Sequence, residues 1–151
     1  MLNDKIKKYI NDSVLCWLAT TNEFNIPNVS PKEMFTYFDD NTLLIANIAS
    51  PQSSKNIKAN SNVCVSFINI FIQKGYKIVG KASIINESND KFFVYKNRIT
   101  GLYGNEFKIL EIFEVSILRI SDILAPSYIT KKDITEEEQI KSAYKTYGIK
   151  E

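Results

Sequence analysis

The chain has 151 residues, 44% of them hydrophobic, a length and composition that fit one compact domain with a buried core. Its 19 basic and 17 acidic residues are scattered and leave a net charge of +2, so neither a nucleic-acid-binding surface nor a membrane-binding basic face is expected. The sequence has no histidine, the commonest general base and metal ligand. We therefore expect no metal site and no catalytic triad.

The first residues, Met1 to Lys5, have no apolar core of signal-peptide length. The longest apolar runs elsewhere are shorter than the ~20 residues that a membrane span needs. These two observations predict a cytoplasmic protein that does not associate with membranes.

The two cysteines, Cys16 and Cys64, lie in apolar, strand-like runs and lack a Cys-x-x-Cys spacing. This context favours buried, inert thiols over a disulfide or a redox pair. A small domain with so few catalytic side chains can still perform demanding chemistry if it binds a cofactor that supplies it.

The first half of the chain predicts one helix and four strands. Apolar residues at helical spacing after Asn3 and Asp4 indicate an amphipathic helix that ends near Asp12. The apolar run 14–20 predicts a strand buried on both faces, with Trp17 in the core. Strand segments are expected at 29–30 and 34–38, around Pro31, and a fourth strand at 43–46.

The second half begins with a helix whose N-cap is Ser50 and whose first residue is Pro51, running to about residue 60. Two long strands follow at 62–72 and 76–85, joined through 73–75. A helix with the stripe Phe92, Tyr95, Ile99 and Leu102 and a strand at 111–120 come next. A capping box at Thr135 and Gly148 as C-cap delimit the last helix.

Short strands with helices at the turns and no β-α-β alternation predict a mainly β fold, a closed or nearly closed antiparallel barrel with flanking helices. We expect a single domain over residues 1–151, with a barrel core at about 13–120 and a C-terminal tail and helix at 121–151. Strands that are apolar on both faces need cover on the outer side of the barrel as well.

Three stretches carry a family resemblance. An Ala19-Thr20 strand turns through Pro27 into a strand that closes in Ser30-Pro31, a Ser- and Lys-containing helix starts at 50–51, and a Gly-x-Ala strand lies at 80–82. In this order, over roughly residues 14–85, they resemble the flavin-binding split barrels of the pyridoxamine 5'-phosphate oxidase-like family. The resemblance implies a Greek-key antiparallel split barrel of the FMN-binding type, paired in a homodimer.

The start of the helix at Ser50 is the candidate phosphate site, because the first N–H groups of a helix are unpaired and its dipole favours an anion. From composition alone, an ordinary surface helix with solvated lysines explains the segment as well. The resemblance favours the phosphate of FMN and implies cofactor contacts from Gln52, Ser53, Ser54 and Lys55.

The resemblance also implies contacts to the flavin ring or its ribityl chain from two strands, through Val29, Ser30, Pro31, Lys32, Ala46 and Asn47. Lys32 could equally be a barrel-rim lysine that extends to solvent. Tyr128 resembles an aromatic residue that reaches the flavin from the tail, and its alternative role is to pin the tail to the barrel. Catalytic residues are not identified by the sequence.

The predicted function is an FMN-binding flavoprotein, an oxidoreductase or flavin reductase that acts on a small substrate or electron donor. Whether it is an enzyme is left open, because a non-catalytic module that binds flavin, deazaflavin or haem fits the same fold. Vitamin B6 oxidation is not expected, since the histidine-containing substrate motif of the true oxidase is absent. A single-stranded nucleic-acid-binding barrel is disfavoured by the near-neutral charge.

Overall fold

The computed structural model describes residues 1–131 and 133–150, which contain five helices and seven strands. The helices are α1 (Asp4–Asp12), α2 (Pro51–Ala59), α3 (Phe92–Tyr103), α4 (Ser127–Thr130) and α5 (Glu136–Tyr147). The strands are β1 (Cys16–Thr21), β2 (Pro27–Lys32), β3 (Phe35–Asp39), β4 (Thr42–Asn47), β5 (Asn62–Asn69), β6 (Lys74–Ile85) and β7 (Glu111–Leu124). None of these helices combines the length and the apolar character that a membrane crossing requires.

The seven strands form one antiparallel sheet in the order β2-β1-β5-β6-β7-β4-β3. Its two edge strands, β2 and β3, are consecutive in the chain and only Glu33 and Met34 separate them. Because so short a segment spans roughly 10 Å at most, the sheet must curl until its edges approach each other. This confirms the predicted mainly β split barrel with flanking helices, although the sheet is not closed.

The interior of the barrel is filled by alternate residues of its strands, as the period of 2 requires. On β1 and β5 these include Cys16, Leu18, Val65 and Phe67, which are at most 1% exposed. Helix α1 covers the barrel with Ile6 and Ile10, and Asn3 caps it by accepting a hydrogen bond from the Ile6 N–H at 2.9 Å. The predicted first helix is therefore confirmed.

A second apolar cluster lies where α3 packs on β4 and β7. Phe92, Tyr95 and Ile99 of α3 are buried there together with Leu44 and Ile112. Strand β4 is consequently covered on both faces, by the barrel core on one and by α3 on the other. The predicted helical stripe is confirmed for its first three residues.

Two side chains are more exposed than expected. Leu102, the fourth residue of that stripe, is 53% exposed, because it lies in the last turn of α3 beyond the packed cluster. Trp17 is 43% exposed rather than in the core, since β1 alternates and directs Cys16 and Leu18 inward and Trp17 outward. The run 14–20 is thus buried on one face only in this chain.

The turn between β5 and β6 lies at 70–73 and not at 73–75. Asn69 ends β5 because its side-chain Oδ1 accepts hydrogen bonds from the N–H groups of Phe71 and Ile72, at 3.0 and 3.3 Å. Gln73 then adopts a positive φ of 52° before β6 begins at Lys74. The Asn69 side chain therefore ends β5 three residues before the end predicted at residue 72.

The tail docks on this same hairpin. The predicted capping box of α5 is confirmed, with Thr135 and Glu138 bonded reciprocally, and Gly148 ends the helix in the left-handed conformation. Ala143 is buried and the ring of Tyr144 lies 5.3 Å from the ring of Phe71, edge to face. The short helix α4 was not anticipated from the sequence.

Gly80 lies at a bulge between β6 and β7, where the backbones approach closely. A Cβ atom at this position would lie 2.5 Å from the carbonyl oxygen of Ser116, inside the closest distance that real Cβ atoms adopt. We predict that Gly80→Ala lowers the free energy of unfolding by about 2 kcal/mol because the two strands must move apart. Urea denaturation measures this change.

Gly101→Ala is the matched control, because a Cβ there meets nothing within 4 Å and the residue lies in α3. Its helix propensity should raise the free energy of unfolding by about 0.5 to 1 kcal/mol. Equal stabilities of the two variants would contradict the close approach at Gly80.

Candidate functional site

The candidate site is built around Lys32, the last residue of β2. Its side chain is buried, with 5% exposure, and its ammonium donates hydrogen bonds to the Oγ atoms of Ser30 at 2.5 Å and Ser50 at 2.7 Å. Burial lowers the pKa of Lys32, because desolvation disfavours the charged form. The ammonium therefore joins the edge strand β2 to the start of α2.

No carboxylate of residues 1–131 and 133–150 forms an ion pair with Lys32. A buried positive charge without a counter-ion is unfavourable, since neutral hydroxyls replace only part of its hydration. An anion bound beside the ammonium would supply the missing charge.

The start of α2 adds unpaired donors next to this ammonium. Ser50 occupies the predicted N-cap position with Pro51 after it, but its hydroxyl accepts from Lys32 and makes no bond to the helix. The N–H groups of Gln52 and Ser53 thus have neither an intrahelical partner nor a side-chain cap. In contrast, Asn3 and Thr135 do cap α1 and α5.

Asn47 fixes the segment that leads into α2. Its side-chain oxygen accepts a hydrogen bond from the Ser50 N–H, and its Nδ2 donates to Oε2 of Glu111, both at 2.9 Å. Glu111 also lies 3.8 Å from the ammonium of Lys58. Because Asn47 is itself buried, the turn between β4 and α2 is held rigidly against β7.

Two cavities flank the segment 48–50. The larger has a volume of about 530 Å³ and contains the side chains of Asn47, Ser54, Lys55, Lys58 and Glu111 in its lining. The smaller has a volume of about 180 Å³ and has Lys32 and Ser50 in its lining. The larger one falls within the range of roughly 300 to 1,000 Å³ that ordinary small-molecule sites span, and the smaller one falls below it.

The structure distributes the predicted site residues unequally between these cavities. Pro31, Lys32 and Ala46 line the smaller one, whereas Asn47, Ser54 and Lys55 line the larger one. Ser30 lies beside the smaller cavity through its hydrogen bond with Lys32. Ten of the eleven predicted residues belong to β2, the end of β4 or the start of α2, which share one region of the fold: Val29, Ser30, Pro31, Lys32, Ala46, Asn47, Gln52, Ser53, Ser54 and Lys55.

The side chains of Gln52 and Ser53 do not line either cavity. Gln52 donates to Asn56, which in turn donates to Thr20 of β1, so this side chain helps to dock α2 on the barrel. The Ser53 hydroxyl is closed off from solvent and has no hydrogen-bond partner within the described part of the chain. Of these two residues, the main-chain N–H groups are the donors that a ligand can use.

Tyr128 lies apart from both cavities, on the β5–β6 hairpin. Its hydroxyl donates to the carbonyl oxygen of Ile72 at 2.7 Å, and the Lys74 ammonium lies 4.2 Å from the centre of its ring. The same ammonium pairs with Glu136 of α5 at 2.6 Å. Tyr128 thus pins the tail to the barrel within one chain, and its contact with a cofactor stays a prediction.

The two cysteines are free, and neither lines the two cavities. Burial raises the pKa of the Cys16 thiol to about 12, and burial also raises the pKa of Cys64. Both thiols are consequently protonated at neutral pH, where the thiolate needed for nucleophilic chemistry is scarce.

The sequence did not predict the cavity-lining residues that come from the loop before β7, from β7 itself and from the end of α2. Phe107 lines the smaller cavity, and Leu110, Glu111 and Lys58 line the larger one. Phe107 and Leu110 belong to an irregular loop without hydrophobic periodicity, so no local pattern distinguishes them. Only the pairing of β7 with β4 places Glu111 opposite Asn47.

The split barrel defines a class of proteins, and comparison with known sequences identifies the family. The sequence model for pyridoxamine 5'-phosphate oxidase matches residues 2–124. The chain therefore belongs to the pyridoxamine 5'-phosphate oxidase family. No curated protein matches its sequence.

Solved structures agree on the fold. HupZ of Group A Streptococcus is 24% identical, with a TM-score of 0.72 over 83% of this chain and 96% of that chain. An FMN-binding protein from Syntrophomonas wolfei subsp. wolfei is 15% identical, with a TM-score of 0.69 over 81% and 86%. HutZ, the heme storage protein from Vibrio cholerae, is 18% identical, with a TM-score of 0.64 over 82% and 94%.

The charge of Lys32 leads to a prediction about stability. Replacing it by methionine, Lys32→Met, should raise the free energy of unfolding of the unliganded protein by about 1 kcal/mol at neutral pH, because a buried unpaired charge is removed. The advantage should shrink as pH rises towards the ordinary lysine pKa of 10.5. Between the lowered pKa of Lys32 in the folded protein and 10.5, the unfolded chain binds more protons than the folded protein does. The stability of the wild type therefore rises with pH over this range.

Urea denaturation at several pH values measures this effect. Lys55→Met is the control, since Lys55 is exposed and its replacement should change stability by less than about 0.5 kcal/mol. A lower stability of Lys32→Met at every pH would mean that the two serine hydrogen bonds outweigh the desolvation of the charge.

Proposed function

We propose that this protein is a flavoprotein that binds FMN, with its phosphate at the start of α2 and its ring along β2 and the end of β4. The observation that carries the proposal is the buried ammonium of Lys32, which lies beside the uncapped N–H groups of Gln52 and Ser53. A dianionic phosphate satisfies both the charge and the donors. Membership of the family and the FMN-binding relative support this choice of ligand.

The residues that line the smaller cavity have the apolar and cationic character that suits FMN. Pro31 and Ala46 offer apolar surface in the smaller cavity, and Lys32 lines the same cavity and bonds to Ser50 at the helix start. FMN, when bound, supplies hydride or electron transfer, so that the protein needs only to bind, orient and tune it. Glu111 in the larger cavity lies beside Lys58, and a carboxylate there supports our assignment of the phosphate to the Lys32 side of the segment 48–50.

The proposed activity is that of an oxidoreductase or flavin reductase on a small substrate, in the cytoplasm. The alternative is a module that holds flavin, a deazaflavin or haem without turnover. A haem-binding role has to dispense with histidine, the residue that most often ligates its iron. Flavin reduction by a nicotinamide donor, measured on the loaded protein, separates an enzyme from a passive carrier.

The phosphate site predicts discrimination between FMN and riboflavin, which share the ring but differ in the phosphate. Lys32→Met should weaken FMN binding about 10- to 100-fold, the effect of losing one hydrogen bond to a charged group, and should leave riboflavin binding within threefold. Titration of the apoprotein, followed by flavin fluorescence, measures both affinities. The purified protein should be yellow and release FMN, not FAD, on denaturation.

Lys5→Met is the matched control, because Lys5 is exposed on α1 far along the chain from the site. It should leave both affinities unchanged. Equal losses for FMN and riboflavin in Lys32→Met would show that the ammonium contacts the ring and not the phosphate. If the wild-type protein binds no flavin, the proposed function is wrong.

We further propose that the protein works as a homodimer and that each flavin site draws on both chains. The outer face of the barrel carries an apolar groove of about 440 Å³ whose lining includes Trp17, Ile68, Ile70 and Phe71. Trp17 and Ile70 are more than 40% exposed. Exposed apolar surface of this kind is typical of an interface, and a second copy is the partner that the family resemblance implies.

The homodimer predicts that a charge at the groove separates the chains. Trp17→Glu should convert the protein from a dimer to a monomer in sedimentation velocity and should weaken FMN binding. Phe24→Glu is the control, because Phe24 is 75% exposed in the β1–β2 turn, outside the groove. A wild-type protein that sediments as a flavin-loaded monomer would remove the idea.

A further inference from the structure

The loop 104–110 connects α3 to β7 and is anchored at both ends. It begins at Gly104, whose φ of 80° ends α3. Near its end, Ile109 is 2% exposed in the cluster beneath α3, and the Leu110 N–H donates to the carbonyl oxygen of Asn47 at 3.1 Å. The loop is therefore held against the turn between β4 and α2.

Two large apolar side chains of this loop remain outside the core. Phe107 is 54% exposed and lines the smaller cavity, and Leu110 is 52% exposed and lines the larger one. Phe107 belongs to neither buried cluster, and it forms no aromatic pair among the described residues. Its ring is thus available to something other than the protein's own core.

The smaller cavity combines two kinds of chemistry. Lys32 contributes a buried cation, and Phe107 contributes an aromatic ring to the lining of the same cavity. A free anion such as phosphate uses only the cation, whereas an aromatic ligand with an anionic group uses both. Aromatic rings contact other flat rings by offset stacking or edge to face, which adds affinity beyond the area that is buried.

We propose that Phe107 contacts the ring of the bound ligand and makes the site selective for planar aromatic ligands that carry an anionic group. This inference rests on the proposed flavin-binding function and deepens it. Lys32 recognises the anion, Phe107 recognises the ring, and the anchored loop holds Phe107 beside the strand end that carries Lys32. Phe107 is a specificity-determining residue and takes no chemical step itself.

Four variants test the assignment: Phe107→Ala, Phe107→Trp, and the matched controls Phe93→Ala and Phe93→Trp. Phe93 is 58% exposed on α3 and lines neither cavity. Each variant is titrated with FMN and with riboflavin, and the fluorescence of the bound flavin is recorded. Tryptophan in contact with a flavin ring quenches its fluorescence, so the Phe107→Trp variant reports contact directly.

Phe107→Ala should weaken binding of FMN and riboflavin by the same factor, about tenfold, because both ligands carry the ring. Phe107→Trp should keep the affinity and reduce the fluorescence of the bound flavin at least twofold relative to the wild type. Both Phe93 variants should behave as the wild type. Thermal melts of the unliganded variants establish that the fold is retained.

The inference is overturned if the wild type binds FMN while both Phe107 variants match it in affinity and in fluorescence. Tighter flavin binding by Phe107→Ala also overturns it, because the side chain would then obstruct the cavity. If the wild type binds neither flavin, the proposed function itself fails and the role of Phe107 fails with it. Failure of the Phe107 role alone leaves flavin binding by the wild type intact, whereas failure of the proposed function abolishes it, so the two are distinguishable.

Discussion

The hydrogen bond from the Lys32 ammonium to the Ser50 hydroxyl is the contact on which the organisation of the site depends. It joins an edge strand to the start of a helix, and it occupies the one side chain that could have capped that helix. Two consequences follow from it, a buried charge that lacks a carboxylate among the described residues and a helix start with unpaired N–H groups. Both are unfavourable in the unliganded protein and both are relieved by an anion.

The architecture was predictable because its signals are local and repeated. Helical spacing with a capping residue identified α1 and α5, and short apolar runs bounded by turn residues identified most strands. The antiparallel split barrel followed from the order of these elements and from the resemblance to the flavin-binding family. Each of these signals depends on residues a few positions apart, so it can be recognised without knowledge of long-range contacts.

The destinations of individual side chains were less predictable, because they depend on contacts between distant segments. Ser50 has the sequence of an N-cap, yet Lys32, 18 residues earlier, takes its hydroxyl. Trp17 looks like a core residue, but the register of β1 with β2 and β5 directs it outward. Phe107 has no pattern around it, and its loop is bonded to Asn47, a residue 60 positions earlier in the chain.

The candidate site lies at the gap in the barrel, between β2 and β3, the two edges of the open sheet. Strand β2 pairs with β1 on one side only, so half of its backbone N–H and C=O groups point towards the gap and can bond a ligand. An edge strand also accommodates Pro31, which could not donate to a second neighbour. The gap lies where the chain crosses from β2 to β3, and the buried Lys32 ends β2 at that crossing. In the proposed function, FMN bound there would cover the open edge, neutralise the lysine and pair with the start of α2, so a single occupant would relieve three unfavourable features of the fold.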